Sequence, residues 1–317
     1  MIKYAGGKQR IGKEIATRIQ EIERDLGLQS LFYYEPFVGM GGIMMHMGYD
    51  LLDGKSRQSR SRSQSRSRSK SYDSRDDSSF SKNYSSDSHD YQTDRLRFGS
   101  DANPDTIAFM DAAANHGWKP PRDISETEYN RIKASTRPSA LRGFTGSSMS
   151  FGAQNFSGFA PKYHKEKTSK QYVDASRKKM EKSAPFLEGV HFKHGDYRDF
   201  KMPRGGIIVM DPPYAASKAN KPDKLFREFD NEAFWEYAEE MAQENLVFVC
   251  EETAPRDWVV VWEKPYTRTT NQRKHTRKYT DKGEKAPIVK TTEKLFMYRH
   301  PPRPSVFEKS PIYPWRP

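Results

Sequence analysis

The sequence predicts an α/β chain built on an open sheet, and three observations carry that prediction. Short apolar or aromatic runs at 31–34, 206–210 and 246–250 have the length of buried strands. The first leads into the glycine-rich turn Glu35-Pro36-Phe37-Val38-Gly39-Met40-Gly41-Gly42, and the second into Asp211-Pro212-Pro213-Tyr214. Two further short strands, at 98–101 and 190–196, end in acids, Asp101 and Asp196. Polar groups collected at strand ends match the place where open α/β sheets hold their ligands.

In chain order, Gly7-Lys8-Gln9-Arg10-Ile11-Gly12-Lys13-Glu14 almost spells a phosphate-binding P-loop. Glu14 stands where a magnesium-binding Ser or Thr is needed and no strand of useful length precedes it, so nucleotide triphosphate chemistry is set aside. After the strand at 31–34 and its glycine turn, Ile43, Met44, Met45 and Met47 predict a helix. Strand, glycine turn and helix together let a ligand approach backbone N–H groups closely. Asp101, in Phe98-Gly99-Ser100-Asp101-Ala102-Asn103-Pro104, is placed to bind ribose hydroxyls as acids do in dinucleotide folds.

The run 206–210 ends in an acid, two prolines and an aromatic ring. The prolines stop the strand and fix the backbone, since they lock φ and lack an N–H. This suits work on an exocyclic nucleobase amine, whose lone pair is delocalised into the ring. Two acceptors, the Asp211 carboxylate and the Pro212 carbonyl, draw that nitrogen towards tetrahedral geometry while Tyr214 stacks on the base. A base in a duplex must first be extruded. The plainer reading is a strand-terminating turn followed by a packed tyrosine.

The order of these segments resembles the Dam-like adenine-specific DNA methyltransferases, particularly those of phage genomes. Lys3-Tyr4-Ala5-Gly6-Gly7-Lys8 is similar to that family's opening motif, and Glu293-Lys294-Leu295-Phe296 is similar to its closing one. Arg142-Gly143-Phe144, Ser150-Phe151-Gly152 and Gly158-Phe159 are similar to its target-recognition region. The resemblance covers 1–54 and 97–298. It implies a Rossmann-like fold with a mixed seven-stranded sheet, and S-adenosylmethionine as cofactor. It places donor contacts at Tyr4, Lys8, Phe37, Gly39, Gly41, Asp101, Asp196 and Tyr197, and the catalytic motif at Asp211, Pro212 and Tyr214. Transfer to adenine N6 in double-stranded DNA is then a direct in-line displacement, which requires neither a metal nor a covalent intermediate. Cytosine-N4 and RNA adenine stay open as targets, because the motif geometry serves any exocyclic amine. In another class, the chain is a nucleic-acid-binding protein on a decayed scaffold; the retained Asp101, Asp196 and Asp211 speak against that.

The departure from the family lies between Gly54 and Arg97. A tract of alternating serine and arginine runs from Lys55 to Lys70 and gives way to a Ser/Asp/Tyr-rich stretch. Neither can bury a core, so 55–95 reads as a disordered insertion joining the first helix to the next strand. A tolerated loop expansion, a nucleic-acid tether and a phosphorylation-switched tract all fit this composition.

The remaining organisation follows. Residues 1–54, 96–114 and 190–300 form the catalytic domain, 115–189 a target-recognition subdomain, and 301–317 a proline-rich tail along the surface or disordered. Within 115–189, Ser125 and Glu128 have capping-box spacing ahead of a short helix, 141–163 reads as irregular, and 168–184 reads as a helix. Arg137, Arg142, Lys162 and Lys165 surround the irregular stretch, which fits DNA contact or an ordinary packing loop. Residues 215–229 form a polar loop able to close over a flipped base, and 229–245 a helix. The pair 258–262 and 294–298 completes the sheet, joined by a basic loop. There Arg268, Arg273, Lys274, Arg277, Lys278 and Lys282 face phosphates or simply a solvated hairpin tip.

Composition agrees with a DNA partner. The 317 residues carry a net charge of +12, and 34% are hydrophobic. The isoelectric point is about 9.5 and the mean hydropathy −0.97. Residues 55–94 hold nine Lys/Arg against six Asp/Glu, a net +3, so +9 of the +12 belongs to the rest of the chain. Such an excess favours a polyanionic partner. No signal peptide and no long apolar run is present, so an intracellular, soluble chain is expected, cytoplasmic with the nucleus left open. Cys250 is the single cysteine; it rules out an internal disulfide or a multi-cysteine zinc site, and its apolar run is a poor setting for a nucleophilic thiolate.

Overall fold

The computed structural model describes residues 7–48, 95–163, 167–200, 202–214, 228–269 and 288–307. The insertion at 55–94 lies outside the described residues, as do most of the 215–229 loop and the basic loop at 270–287. Seven strands form one mixed sheet: β1 (Phe32–Glu35), β2 (Leu96–Asp101), β3 (His191–His194), β4 (Ile207–Met210), β5 (Leu246–Glu251), β6 (Trp258–Thr269) and β7 (Ile288–Tyr298). Their order is β3-β2-β1-β4-β5-β7-β6. Neighbours from β3 to β5 pair in parallel, and β7 runs antiparallel to both β5 and β6. The chain steps outward from β1 to β3, then returns to β4 on the other side of β1. That reversal opens a crevice between the carboxyl ends of β1 and β4, where such sheets bind ligands.

Both faces of the central strands are covered, which is why β1, β4 and β5 read as continuous apolar or aromatic runs rather than alternating ones. One face packs Tyr33, Ile207, Val209, Phe248 and Leu295 under α1 (Gly12–Asp25), α2 (Pro104–Asn115), α4 (Ala140–Ser148) and α6 (Ser169–Leu187). The other packs Phe32, Tyr34, Ile208, Met210 and Val249 under α7 (Asn231–Ala242). The capping box forms as its spacing predicts: Ser125 and Glu128 bond reciprocally at the start of α3 (Glu126–Ala134). Two charged ties anchor the first face. Arg95 meets the Glu23 carboxylate of α1 at 2.6 and 2.7 Å. The buried Arg97 donates to the carbonyls of Phe186 and Glu188, capping the end of α6.

Several expectations are corrected. The helix after the glycine turn is, among the described residues, one 3-10 turn at Met44–His46. The stretch 141–163 is not irregular throughout: α4 fills its start and α5 (Ala160–Tyr163) its end. Gly143 is required by packing, since a Cβ there would collide with the Asp105 backbone of α2. Tyr129, Phe144 and Phe159, from within 115–189, join the core beneath the sheet. The closing hairpin is longer than the 258–262 and 294–298 pair, because β6 is an edge strand that tolerates Pro265. At the start of the tail, 301–306 are exposed or half-buried and Phe307 is buried in the main core; 308–317 lie outside the described residues. No described helix is long and apolar enough to cross a membrane.

Candidate active site

The glycine turn is stapled to the end of β2. Val38 N–H donates to the Ser100 carbonyl at 2.9 Å, and Gly39 N–H donates to Asp101 Oδ2 at 3.1 Å. The other Asp101 oxygen accepts from Asn103 N–H at 2.8 Å, and Asn103 in turn caps α2. Gly39 and Gly41 have φ of 47° and 63°, a backbone that side chains rarely adopt. Gly42 is fixed by close approach, because a Cβ there would lie 3.1 Å from Gln9 N and from the Lys8 carbonyl carbon. The turn therefore seats the N-terminal segment beside β1 and delivers Lys8 into the crevice.

Lys8 is buried, and its Nζ lies 2.7 Å from Asp211 Oδ1, 2.6 Å from the Tyr214 hydroxyl and 3.5 Å from Glu293 Oε2. The Tyr214 hydroxyl donates to Glu293 Oε2 at 2.8 Å, and the ammonium also lies 4.6 Å from the Tyr214 ring centroid. Burial alone would favour the neutral amine, but the neighbouring charges, Asp211 foremost, hold Lys8 above its ordinary range. Burial and the same acids push the Tyr214 phenol well up, so it stays a hydrogen-bonding hydroxyl.

Asp211 keeps 22% of its side chain exposed, whereas Pro212 and Tyr214 are buried. Tyr214 is thus turned inward in this structure, with its hydroxyl engaged, instead of being presented for stacking. The acid beneath the glycine turn behaves differently. Glu35 accepts from the Tyr33 hydroxyl at 2.6 Å and from Met44 N–H. Burial, helped by the charge of Asp211, pushes its carboxyl up to about 8 against the opposing pull of those hydrogen bonds.

Along the crevice, Phe37 and Tyr197 face each other at 5.2 Å and share an aromatic cluster with Phe229 and Phe234. Asp196 caps the turn carrying Tyr197 and pairs with Arg198 at 2.8 Å. Partial burial works against its charge, but the Arg198 hydrogen bonds prevail and hold the carboxyl below its usual range. The sheet edge therefore gathers Lys8, Phe37, Gly39, Gly41, Asp101, Asp196, Tyr197 and Asp211 along the ends of β1 to β4. Gly41 differs from a ligand-facing glycine in that a Cβ there would lie 3.0 Å from Leu187 and 3.3 Å from Met110. Tyr4 lies outside the described residues.

The nucleic-acid candidates divide. Arg142 bonds Asp105, donates to the carbonyls of Ser135 and Lys133, and stacks 4.9 Å from the Phe156 ring, so it is an internal tie rather than a phosphate contact. Sequence reasoning missed this because Asp105 lies 37 positions away. Lys162 is exposed and paired with Glu126 at 3.0 Å, and Arg137 is exposed. Arg273, Lys274, Arg277 and Lys278 lie outside the described residues.

Glu293 and Glu35 are the functional-site acids without an expected role. Glu35 carried a signal, since it ends an apolar and aromatic run where carboxylates are rare unless used, whereas Glu293 lies between Thr292 and Lys294 and carried none locally.

No family model and no curated protein matches the sequence. Among solved structures, a protein described as a methyltransferase and crystallised with SAH matches at 10% identity and a TM-score of 0.32, over 92% of this chain and 53% of that one. A Pyrococcus horikoshii protein described as an RNA methyltransferase matches at 9% identity and a TM-score of 0.31, over 90% of this chain and 84% of that one. The chain thus spans about half the length of the first of these. At such TM-scores the likenesses bear on neither activity nor substrate.

Proposed function

We propose that the chain is an S-adenosylmethionine-dependent methyltransferase acting on the exocyclic N6 amine of adenine in DNA. The observation that carries the reading is the position of Asp211: it leaves β4 at the reversal point of the sheet, beside the glycine turn that Asp101 pins. The residues present fit the donor. Asp101 stands at the end of β2 where ribose-binding acids stand, and Phe37 and Tyr197 provide apolar faces for an adenine ring. When bound, S-adenosylmethionine supplies an electrophilic methyl group on a cationic sulfonium.

The chain's own residues do the rest. Asp211, held at one oxygen by Lys8, presents an acceptor that fixes one N–H of the target amine and stabilises positive charge as it grows on nitrogen. The buried Pro212 fixes the backbone that follows, so orientation precedes reaction. Tyr214 holds Lys8 and Glu293 together in the described state. The exposed cations Arg137, Lys170, Lys178 and Lys182 support a polyanionic substrate.

The test is incubation with radiolabelled donor and unmethylated genomic DNA, then nucleoside chromatography. Label in N6-methyladenine is expected. Label in N4-methylcytosine, or only in an RNA substrate, reassigns the target. Absence of label from any nucleic acid, with donor binding intact, overturns the reading.

A further inference from the structure

Glu293 reaches the site from β7, on the far side of the sheet's reversal point from the glycine turn. Its carboxylate accepts from the Tyr214 hydroxyl at 2.8 Å and lies 3.5 Å from the Lys8 ammonium, which also bonds Asp211 at 2.7 Å. Two carboxylates thus share one buried cation, with Lys8 at 6% and Glu293 at 10% side-chain exposure. Holding Asp211 in place requires only one of them. A second buried carboxylate carries a desolvation cost that packing alone does not repay.

We propose that Glu293 is a ligand-selectivity residue: its negative charge biases the site towards a cationic sulfonium donor and against the neutral thioether product. The inference rests on the methyl-donor reading above. Methyl transfer turns a +1 ligand into a neutral one, so a fixed negative charge nearby retains the donor and lets the product go. The amine held by Asp211 and the donor must meet in near-attack geometry, which keeps the sulfonium within roughly 10 Å of the Asp211–Glu293 pair. At that range a unit charge in a partly buried site changes a cation's affinity about tenfold and leaves a neutral ligand's unchanged. Glu293 acts through charge and through Lys8 and Tyr214, and touches no reacting atom in this scheme.

The experiment is calorimetric titration of the full chain with S-adenosylmethionine and, separately, with S-adenosylhomocysteine. It compares wild type with Glu293→Gln, Glu293→Asp and Lys8→Met, with folding followed by circular dichroism. Glu293→Gln is expected to lower the donor-to-product affinity ratio about tenfold. Glu293→Asp, which keeps the charge, is expected to restore it, and Lys8→Met to raise it. A Glu293→Gln variant that weakens both ligands equally has a structural role only, and overturns the inference. If that variant does not fold, Lys8→Met decides: an unchanged or lowered ratio overturns the inference. Wild-type protein that binds neither ligand overturns the methyl-donor reading itself, and the inference with it.

Discussion

Replacing Glu35 by Gln should make the protein more stable in alkaline solution while leaving it nearly unchanged in mild acid. The Glu35 carboxyl is buried under the glycine turn and is pushed from an ordinary 4.5 up to about 8 by burial, with the Asp211 charge adding to the rise. Between those two values the folded chain keeps a proton that the unfolded chain has released. Stability therefore falls as pH rises from about 4.5 and levels off above about 8. Each unit of difference corresponds to about 1.4 kcal/mol, so the whole window is worth about 5 kcal/mol, a large fraction of a typical domain's stability.

Glutamine is the informative substitution because it is neutral at every pH and keeps the carbonyl oxygen. That oxygen can still accept from the Tyr33 hydroxyl and the Met44 N–H that Glu35 now engages. The assay is urea unfolding of wild type and Glu35→Gln at half-unit steps from pH 5 to pH 9. The two midpoints should coincide near pH 5 and diverge steadily towards pH 8, with the variant the more stable. Parallel profiles across the range would refute the argument, since they would mean that Glu35 ionises in the folded state much as it does in the unfolded one.

Three further outcomes are expected. Asp211→Ala should lower methyl transfer by at least about 1,000-fold, in line with loss of a preorganised acceptor, while calorimetry still detects donor binding; near-normal turnover would remove Asp211 from the mechanism. Arg142→Ala should cost about 3 kcal/mol in thermal or urea unfolding, because it strands the buried Asp105, whereas Arg137→Ala should barely change stability and should weaken DNA binding in fluorescence anisotropy. Asp101→Ala should release Gly39 N–H and loosen the turn, with a loss of about 1–2 kcal/mol in stability and a larger loss in donor affinity measured by calorimetry.

The fold was legible where burial on both faces forces a simple pattern. β1, β4 and β5 are covered above and below, so their sequences are unbroken apolar or aromatic runs, and Asp101 at the end of β2 and Asp196 just beyond β3 mark the carboxyl edge. Elements whose character depends on a distant partner were not legible. α4 carries Gly143 and Gly146, which argue against a helix locally; they are accepted because a Cβ at either would collide with Asp105 or Asn155. α1 overlaps the near P-loop, and its stripe of Ile15, Ile19 and Ile22 is buried against the sheet.

The candidate site divides along the same line. Asp211 and Asp101 announce themselves, since each ends a strand beside residues that break it. Lys8 was expected at the donor, yet the structure sets its ammonium against Asp211, more than 200 positions away, a contact that only the return of β4 to the side of β1 creates. Glu293 depends on one step more, the antiparallel insertion of β7 beside β5, which places Leu295 opposite Cys250 and turns Glu293 towards the same face. Between Thr292 and Lys294, the sequence does not say that Glu293 is buried or which cation it serves. Here topology supplies the answer, because the strand order leaves Lys8 as the ammonium that Asp211 and Glu293 both reach.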